Sequence, residues 1–355
     1  MTEIIVVNPQ TPQPDRIAYA ASLIQQGKLV AFPTETVYGL GANALDEKAV
    51  ARIFEAKERP MDDPLIVHLA SREDLSIVAK DIPEIAYLLI EAFWPGPLTL
   101  VLPKQDIVPM NVTAGLDTVA VRIPDHPVAL ALIRASKVPI AAPSANRFSK
   151  VSPTTAEHVL HDLDGRIELI LDCGPTSVGV ESTVLNIMTT PPVILRPGGI
   201  SREAIESLIG RVMVFGEVGK GHLEATPVIH GPSPSPGLLP RHYTPRARLI
   251  LVKGTSNRVL EEMASLSRLH LSDGVQVGLL ITDEEKPYFE RLPVRIVTLG
   301  PAGDLIQIAR NLYAGMRMLD AQGVDVIIAH DFGKSGLGLA INDRLRRAAS
   351  QIIDL

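Results

Sequence analysis

The chain has 355 residues, which is more than one ordinary domain holds and predicts two domains. Hydrophobic residues make up 46% and charged residues 21%, a composition typical of packed globular structure rather than disorder. A net charge of −6 argues against a protein whose whole surface binds nucleic acid, so any anion site must be local. The single cysteine, Cys173, excludes an intramolecular disulfide framework and a cysteine metal cluster, and we expect it in the core.

The N-terminal residues lack the basic region and cleavage pattern of a signal peptide. No apolar run approaches the roughly 20 residues that span a bilayer. We therefore expect a cytoplasmic protein without a membrane-spanning segment.

Short β-like runs alternate with amphipathic helices in the first part of the chain. The predicted strands are Lys28–Pro33, Leu65–Ala70, Leu98–Leu102, Val119–Ile123, Pro139–Ala142, Ile167–Asp172, Ser182–Ile187 and Val193–Leu195. Helices are predicted at 46–57, where Asp46 is a good N-cap, at 154–163 and at 202–209. The many strands relative to helices indicate a mixed, twisted α/β sheet rather than a regular βαβ array.

Proline recurs between Thr226 and Pro245. Because proline fixes φ and removes a hydrogen-bond donor, this segment is predicted to be an extended linker. We divide the chain into a catalytic domain at 1–215, a proline-rich linker at 216–246 and a second domain at 247–355.

Strand-like and helix-like runs alternate regularly after the linker. The strands are Arg248–Val252, Gln276–Thr282, Val294–Leu299 and Asp325–Ala329, and the helices are Asn257–Leu269, Asp304–Ala321 and Leu339–Ala349. This pattern predicts a smaller Rossmann-like parallel sheet with helices on both faces. The GKSGLG run at Gly333 lacks the spacing of a phosphate-binding P-loop, so a regulatory or supporting role is expected.

Polar residues follow several predicted strands, where open α/β sheets build their sites. The turn FPTETVYGLGA offers the hydroxyls of Thr34 and Thr36 to a small polar ligand, although a capped tight turn explains it equally well. Lys57 and Arg59 leave a helix end and enter a proline-bounded loop, where the helix dipole alone also favours cations. His68 lies in an apolar run, where a histidine is more often a core residue than a ligand.

Arg122 alternates out of a buried β run, so either a fixed carboxylate or a bound anion must compensate its charge. The small polar run around Ser144 and Asn146 follows a strand and suits backbone contact with phosphate or ribose. Arg196 ends a later strand. Together with Lys57 and Arg59, these dispersed cations favour a polyphosphate pocket over an RNA surface, which favours clustered basic residues and exposed aromatics.

Seven motifs stand in the order FPTETVYGLGA, KERPMDDPLIVH, WPGPLTLVL, TAGLDTVAVRIP, APSAN, GVESTV and LRPG. This series resembles the YrdC/Sua5 family, and the linker run SPGLLPRHYTP is similar to that of the longer Sua5 members. The resemblance covers roughly residues 10–215, the linker and, by length, the C-terminal domain.

The resemblance implies a YrdC-like twisted α/β catalytic domain with a basic concave cleft. It implies synthesis of L-threonylcarbamoyladenylate from L-threonine, bicarbonate and ATP, with release of pyrophosphate, for threonylcarbamoylation of a tRNA adenosine (t6A). Mg²⁺ is expected with ATP, and the expected partner is the downstream tRNA threonylcarbamoyl-transfer machinery. Weak RNA binding is compatible with the resemblance, and no membrane partner is expected.

The resemblance also assigns residues by position. The threonine-side residues are Thr36, His68, Arg122 and Thr183. The ATP-side residues are Lys57, Arg59, Asp63, Thr118, Ala142, Ser144, Asn146, Ser152, Arg196 and Tyr243, of which Lys57 and Arg59 are expected to act in catalysis. Asp63 stands where relatives often carry Asn, which puts a direct phosphate contact there in doubt.

The length and proline content of the linker suggest a further role, because long connections without secondary structure are uncommon unless they are functional. We expect it to close over the catalytic domain as a lid with Tyr243 against the nucleotide, the alternative being a solvated spacer.

Two other functions compete with the synthase. A basic concave domain could hold double-stranded RNA or tRNA without chemistry, but the hydroxyls of Thr34 and Thr36 would then have no role. The carbamoyl-transfer domain of hydrogenase maturation proteins is related, but those chains carry zinc-finger and acylphosphatase segments that this sequence lacks.

Overall fold

The computed structural model describes residues 1–216, 242–254 and 256–355, except for the side chains at 256 and 257. The described residues form two compact units. The first contains residues 1–148, 153–177 and 181–216, and the second contains 149–152, 178–180 and 242–355. Most of the predicted linker at 216–246, and with it the predicted lid, lies outside the described residues.

The described part of the first unit holds eleven strands and eight helices. The strands are β1 (Glu3–Val6), β2 (Val30–Phe32), β3 (Gly39–Asn43), β4 (Ile66–His68), β5 (Leu98–Pro103), β6 (Thr118–Arg122), β7 (Ile140–Ala141), β8 (Leu169–Asp172), β9 (Thr183–Asn186), β10 (Val193–Arg196) and β11 (Met213–Val214). The helices are α1 (Pro14–Gln25), α2 (Glu47–Lys57), α3 (Leu75–Val78), α4 (Glu84–Phe93), α5 (Met110–Thr113), α6 (Pro127–Ser136), α7 (Ala156–Leu163) and α8 (Arg202–Ile209).

The strands of the first unit join in one sheet, in the order β1-β8-β2-β3-β7-β4-β6-β5-β9-β10-β11. The neighbours β4 and β6 are parallel, whereas β5 and β6 are antiparallel. The mixed α/β sheet predicted from the sequence is therefore confirmed. Cys173 packs at the edge of the core beneath this sheet, as expected, and burial raises the pKa of its thiol to about 12.

Strand β3 differs from the sequence prediction, which treated its residues as part of a turn. Gly39 and Gly41 have low strand propensity, but β3 pairs with β2 and β7 and is almost entirely buried. A Cβ at Gly41 would come within 2.8 Å of the Phe32 ring and 2.9 Å of Ile140. Tertiary crowding therefore requires glycine there, and the pattern that suggested a turn has a packing cause.

Helix α2 places Lys57 at the site. Its N-cap, Asp46, accepts hydrogen bonds from the backbone N–H groups of Lys48 and Ala49, as predicted. Its apolar face is buried, and the helix ends at Glu58, whose φ of 53° lies in the left-handed region. Lys57 therefore occupies the last turn and is only 1% exposed.

The second unit contains five parallel strands among its described residues, in the order β14-β13-β15-β12-β16. They are β12 (Arg248–Lys253), β13 (Val277–Ile281), β14 (Arg295–Thr298), β15 (Val326–His330) and β16 (Ala349–Asp354), and the helices are α9 (Ser256–Ser272), α10 (Lys286–Phe289), α11 (Leu305–Ala321) and α12 (Gly338–Ala348). The predicted Rossmann-like parallel sheet is confirmed, and β16 is a strand that the sequence pattern did not predict.

Two short segments from earlier in the sequence complete the second unit. Thr244 N–H donates to the Ser149 carbonyl at 2.8 Å, and Lys150 forms a parallel bridge with Thr244. A Cβ at Gly179 would lie 2.3 Å from the Arg310 Cα, so the 178–180 segment packs directly on the α11 backbone. None of the helices among the described residues is long and apolar enough to cross a membrane.

Candidate functional site

Arg122 is the centre of a buried polar cluster in the first unit. The parallel strands β4 and β6 align His68 with Arg122. Arg122 donates from Nε to His68 Nε2 at 2.9 Å and from its terminal nitrogens to Glu35 Oε1 at 2.9 Å and Thr36 Oγ1 at 3.1 Å. The side chains of Arg122 and Glu35 are only 4% and 5% exposed. Of the two alternatives that the sequence left open for Arg122, the structure shows a fixed carboxylate, Glu35.

The hydrogen bonds of His68 define its protonation state. Its Nε2 faces a donor on Arg122 and must accept, so the proton lies on Nδ1, which is 3.1 Å from the Ile66 carbonyl. Burial, together with the positive charge of Arg122, holds the pKa of His68 well below its usual value. His68 is thus a neutral residue that orients Arg122.

His68 should make the protein sensitive to acid. Below pH 6.5 an unfolded chain protonates this histidine while the folded chain does not, so the free energy of unfolding falls as pH falls, by up to about 1.4 kcal/mol per pH unit. We expect His68→Gln to remove part of this slope in urea unfolding measured between pH 7 and pH 5.5. The exposed His161 serves as control through His161→Gln, and equal slopes in the two variants would contradict the neutral assignment.

One of the two carboxylate oxygens of Glu35 lacks a hydrogen-bond partner among the described residues. Its Oε1 meets Arg122, but Oε2 makes no hydrogen bond to any described residue although it is buried. Burial raises the pKa of Glu35 more than the charge of Arg122 lowers it. The cluster therefore contains a carboxylate with raised proton affinity beside a fixed guanidinium group.

A second cluster surrounds Lys57 and Arg59. Arg59 forms a buried ion pair with Asp63 at 2.9 Å and donates to the Pro64 carbonyl at 2.8 Å. Burial raises the pKa of Asp63, while the charges of Arg59, Lys57 and Arg196 act to lower it. Burial and the charge of Arg59 hold the pKa of Lys57 well below its usual range. The structure thus brings these three cations into electrostatic contact around one carboxylate.

The run after β7 lies against the lysine of this cluster. Lys57 Nζ donates to the Ser144 carbonyl at 2.5 Å and to the Asn146 carbonyl. Ala142 N–H donates to the Ile66 carbonyl at 2.9 Å, and the Asn146 side-chain amide donates to the Arg147 carbonyl at 2.7 Å. These predicted ATP-side residues are therefore held in place by backbone contacts.

The hydroxyl of Thr183 bonds to the backbone of Ile200 rather than to the Arg122 cluster. Its hydroxyl donates to the Ile200 carbonyl at 2.5 Å and accepts from the Ile200 N–H at 3.1 Å. Because side chains alternate along a strand, its neighbour Ser182 projects to the other face, where the Ser182 hydroxyl lies 2.8 Å from Thr99 Oγ1 and accepts from Arg196. A direct role for Thr183 in threonine binding stays a prediction.

Three predicted ATP-side residues remain. Thr118 begins β6, four residues before Arg122, which places it about 13 Å away along the strand. Ser152 and Tyr243 belong to the second unit, where the Tyr243 ring stacks on Tyr313 at 5.7 Å. Contact of these three residues with a nucleotide stays a prediction.

Two polar residues of the clusters were not predicted as site residues. Glu35 lies in the FPTETVYGLGA motif, and the unbalanced charge of Arg122 was a signal that could have identified it as a site residue. Ser182 had no such signal, because its contact with Arg196 is seen only in the hydrogen bonds of the folded chain. The two clusters together offer a fixed cation and a basic carboxylate on one side and a group of cations on the other, which suits an amino acid and a polyphosphate.

Comparisons with known proteins match the chain in two successive parts. The Sua5/YciO/YrdC family model, described as telomere recombination, matches residues 22–198, and a model described as the threonylcarbamoyl-AMP synthase C-terminal domain matches residues 200–350. The chain is 48% identical to the threonylcarbamoyl-AMP synthase of Pyrococcus abyssi, over 94% of each chain. It is also 48% identical to the Bacillus subtilis enzyme of that name, over 94% of this chain and 93% of the relative.

A solved structure is similar over the whole length. The crystal structure of P. abyssi Sua5 complexed with L-threonine matches with a TM-score of 0.90 and 47% identity, covering 100% of both chains. Both domains, and not the first alone, therefore have counterparts in one relative. On this evidence, the chain belongs to the Sua5/YciO/YrdC family.

Proposed function

We propose that this protein is a threonylcarbamoyl-AMP synthase, which joins L-threonine, bicarbonate and ATP and releases pyrophosphate for the formation of t6A in tRNA. The observation that carries the proposal is that two relatives with this name are 48% identical over more than nine-tenths of their length. The related Sua5 structure with L-threonine also favours an enzyme over a double-stranded RNA-binding module.

Arg122 is the residue that holds the threonine carboxylate. Its three internal hydrogen bonds use one N–H at Nε and one at each terminal nitrogen. One N–H on each terminal nitrogen is then left for a bidentate contact with a carboxylate. His68 and Glu35 fix the plane of the guanidinium group before the substrate arrives, which lowers the entropic cost of binding.

Glu35 accepts the proton that threonine must lose. The ammonium group cannot attack carbon until it becomes a neutral amine, and Glu35 Oε2 is a buried acceptor without a partner among the described residues. The amine nitrogen then forms a carbamate by bonding to the carbon of bicarbonate, whose hydroxyl leaves as water with one amine proton, or to the carbon of carbon dioxide, with release of one amine proton. A carbamate oxygen attacks the α-phosphorus, the bond to the β-phosphate oxygen breaks, and pyrophosphate leaves.

Lys57, Arg59 and Arg196 stabilise the phosphates. None of the bond changes requires an enzyme nucleophile, so the protein contributes position and positive charge. Burial and the charge of Arg59 lower the pKa of Lys57, and negative phosphate charges beside it would act in the opposite direction.

Magnesium is best treated as part of the ATP substrate. No group of three or more His, Cys, Asp or Glu residues in the described part of the chain could hold a metal ion. Asp63, the carboxylate in the phosphate-side cluster, is paired with Arg59. Mg²⁺ commonly keeps several waters and binds through substrate phosphates, so it needs no dedicated cage here.

The direct test is product identification. Incubation with ATP, Mg²⁺, bicarbonate and L-threonine should give threonylcarbamoyl-AMP by mass spectrometry and one pyrophosphate per product. Release of phosphate or pyrophosphate that does not depend on threonine would contradict the proposal. The unstable adenylate must then reach a tRNA threonylcarbamoyl-transfer machinery, which implies a cytoplasmic site and allows weak RNA contact.

Amino-acid choice gives a further prediction. Serine lacks one methyl group of threonine, a difference worth about 1–3 kcal/mol in an apolar pocket, so serine should be a poor but detectable substrate. Valine lacks the hydroxyl and should be rejected more strongly, because a polar partner would be left unpaired. Pyrophosphate release with each amino acid measures the ratio, and equal use of valine would show that no group, Thr36 included, contacts the hydroxyl.

A further inference from the structure

A cavity of about 200 Å³ lies in the second unit at the carboxyl ends of β12, β13 and β15. After β12 the chain crosses the sheet over the position of β15 to form β13, and it continues in the same direction to form β14. It then crosses the sheet in the opposite direction to form β15. Open parallel sheets bind their ligands at such a reversal point. The cavity is smaller than the roughly 300–1,000 Å³ of sites for drug-sized ligands, so it fits a ligand no larger than a single nucleoside.

Thr282 gives the cavity an unsatisfied polar group. It follows β13, lines the cavity and is only 2% exposed. Its hydroxyl is close enough to Glu285 to help lower the pKa of that carboxyl, but it makes no hydrogen bond of normal geometry to any described residue. A buried hydroxyl without a strong partner is costly, and a ligand in the cavity would supply one.

Two carboxylates border the same space. Glu285 Oε2 accepts from the Thr282 N–H at 2.8 Å and lies 3.0 Å from His330 Nε2. Burial acts to lower the pKa of His330, but the hydrogen bond and charge of Glu285 outweigh it and raise that pKa. His330 is thus the hydrogen-bond partner of Glu285, and the neighbouring Asp331 adds a second carboxylate to the wall of the cavity.

The chemistry of the wall favours a neutral ligand with hydroxyl donors. The acceptors Asp331 and Glu285 disfavour phosphate, and the loop from Gly333 lacks P-loop spacing. Carboxylates that follow the strands of such sheets commonly accept hydrogen bonds from ribose hydroxyls. The apolar remainder of the wall, including Phe332 and Leu305, suits the flat face of a base.

We propose that this cavity binds a ribonucleoside, with the ribose hydroxyls on Thr282, Glu285 and Asp331 and the base against Phe332. The site is separate from the residues assigned to synthesis and does not depend on their role. It would give the second unit a nucleoside-sensing function.

Histidine NMR of the full-length chain tests this proposal with adenosine as the probe. The chain has nine histidines, and the His330 ring signal is assigned as the one lost in His330→Asn. Adenosine should shift this signal in a saturable way, and 2′-deoxyadenosine should need an about tenfold higher concentration because one hydroxyl is missing. The first unit does not interfere, since the signal reports only on the cavity.

Variants provide the controls. Asp331→Asn and Thr282→Val should each weaken the adenosine response about tenfold, whereas Asp283→Asn should not. Asp283 is exposed on the same turn and does not line the cavity, so this change removes the same charge elsewhere. An unmoved His330 signal at millimolar adenosine, equal midpoints for the two nucleosides, or equal responses in Asp331→Asn and Asp283→Asn would each overturn the proposal.

Discussion

Replacing Arg59 with alanine is expected to slow pyrophosphate release about a hundredfold or more and to destabilise the protein as well. The activity is lost because a preorganised cation no longer faces the charge that develops on the phosphates. Stability is lost because Arg59 is buried and ion-paired with Asp63. Leaving Asp63 buried without its partner should cost about 3–5 kcal/mol.

The Asp63→Asn background separates the two effects of Arg59→Ala. Asparagine carries no charge, so the double variant should regain most of the melting temperature while the rate of pyrophosphate release stays low. Asp63→Asn alone should stay active and bind ATP at least as tightly, because it removes a negative charge beside three cations. Near-normal turnover in the stable double variant would remove Arg59 from the catalytic residues.

Replacing Arg122 with methionine should have the second large effect, which is on the use of threonine as a substrate. We expect kcat/KM for threonine to fall at least about a hundredfold, since the carboxylate loses a bidentate partner in a buried site. The free energy of unfolding should fall by about 3–5 kcal/mol, because Glu35 loses its counter-charge and His68 loses its donor. Urea unfolding and pyrophosphate release measure the two quantities.

Glu35→Gln provides the matched background for Arg122. The Arg122→Met, Glu35→Gln pair should unfold at nearly the urea concentration of the parent, and it should release pyrophosphate more slowly than Glu35→Gln alone, which already lacks the proton acceptor. Arg72→Met is the surface control, because Arg72 is 66% exposed in its ion pairs, and exposed pairs contribute about 0–1 kcal/mol. A stable double variant with normal threonine kinetics would show that Arg122 only supports the fold.

Charge balance and local capping made part of the molecule predictable. The Asp46 N-cap and the apolar stripe that follows it predicted helix α2, and hence the position of Lys57 at the end of that helix. The unpaired charge of Arg122 in a β run required a buried partner, which the structure provides in Glu35. These inferences succeed because the residue type and its neighbours in sequence contain the physical constraint.

Other features depend on contacts distant in sequence. Lys57 is held by the backbone carbonyls of Ser144 and Asn146. Every residue has such a carbonyl, so the residue types at these positions do not indicate the contact. The hydroxyl of Thr183 bonds to Ile200, seventeen residues away, which no local pattern indicates. Strand β3 forms despite its glycines because its neighbours leave no room for larger residues.

The residues at 149–152 and 178–180 make the second unit discontinuous along the gene. A fragment that starts at His242 would lack Lys150, the bridge partner of Thr244, and the loop that packs on α11. Recombination or truncation at the linker therefore does not exchange a whole module. The second unit needs two short segments that are encoded within the region for the first unit. An insertion near Ser149 or Gly179 would therefore damage a fold that is encoded mainly downstream.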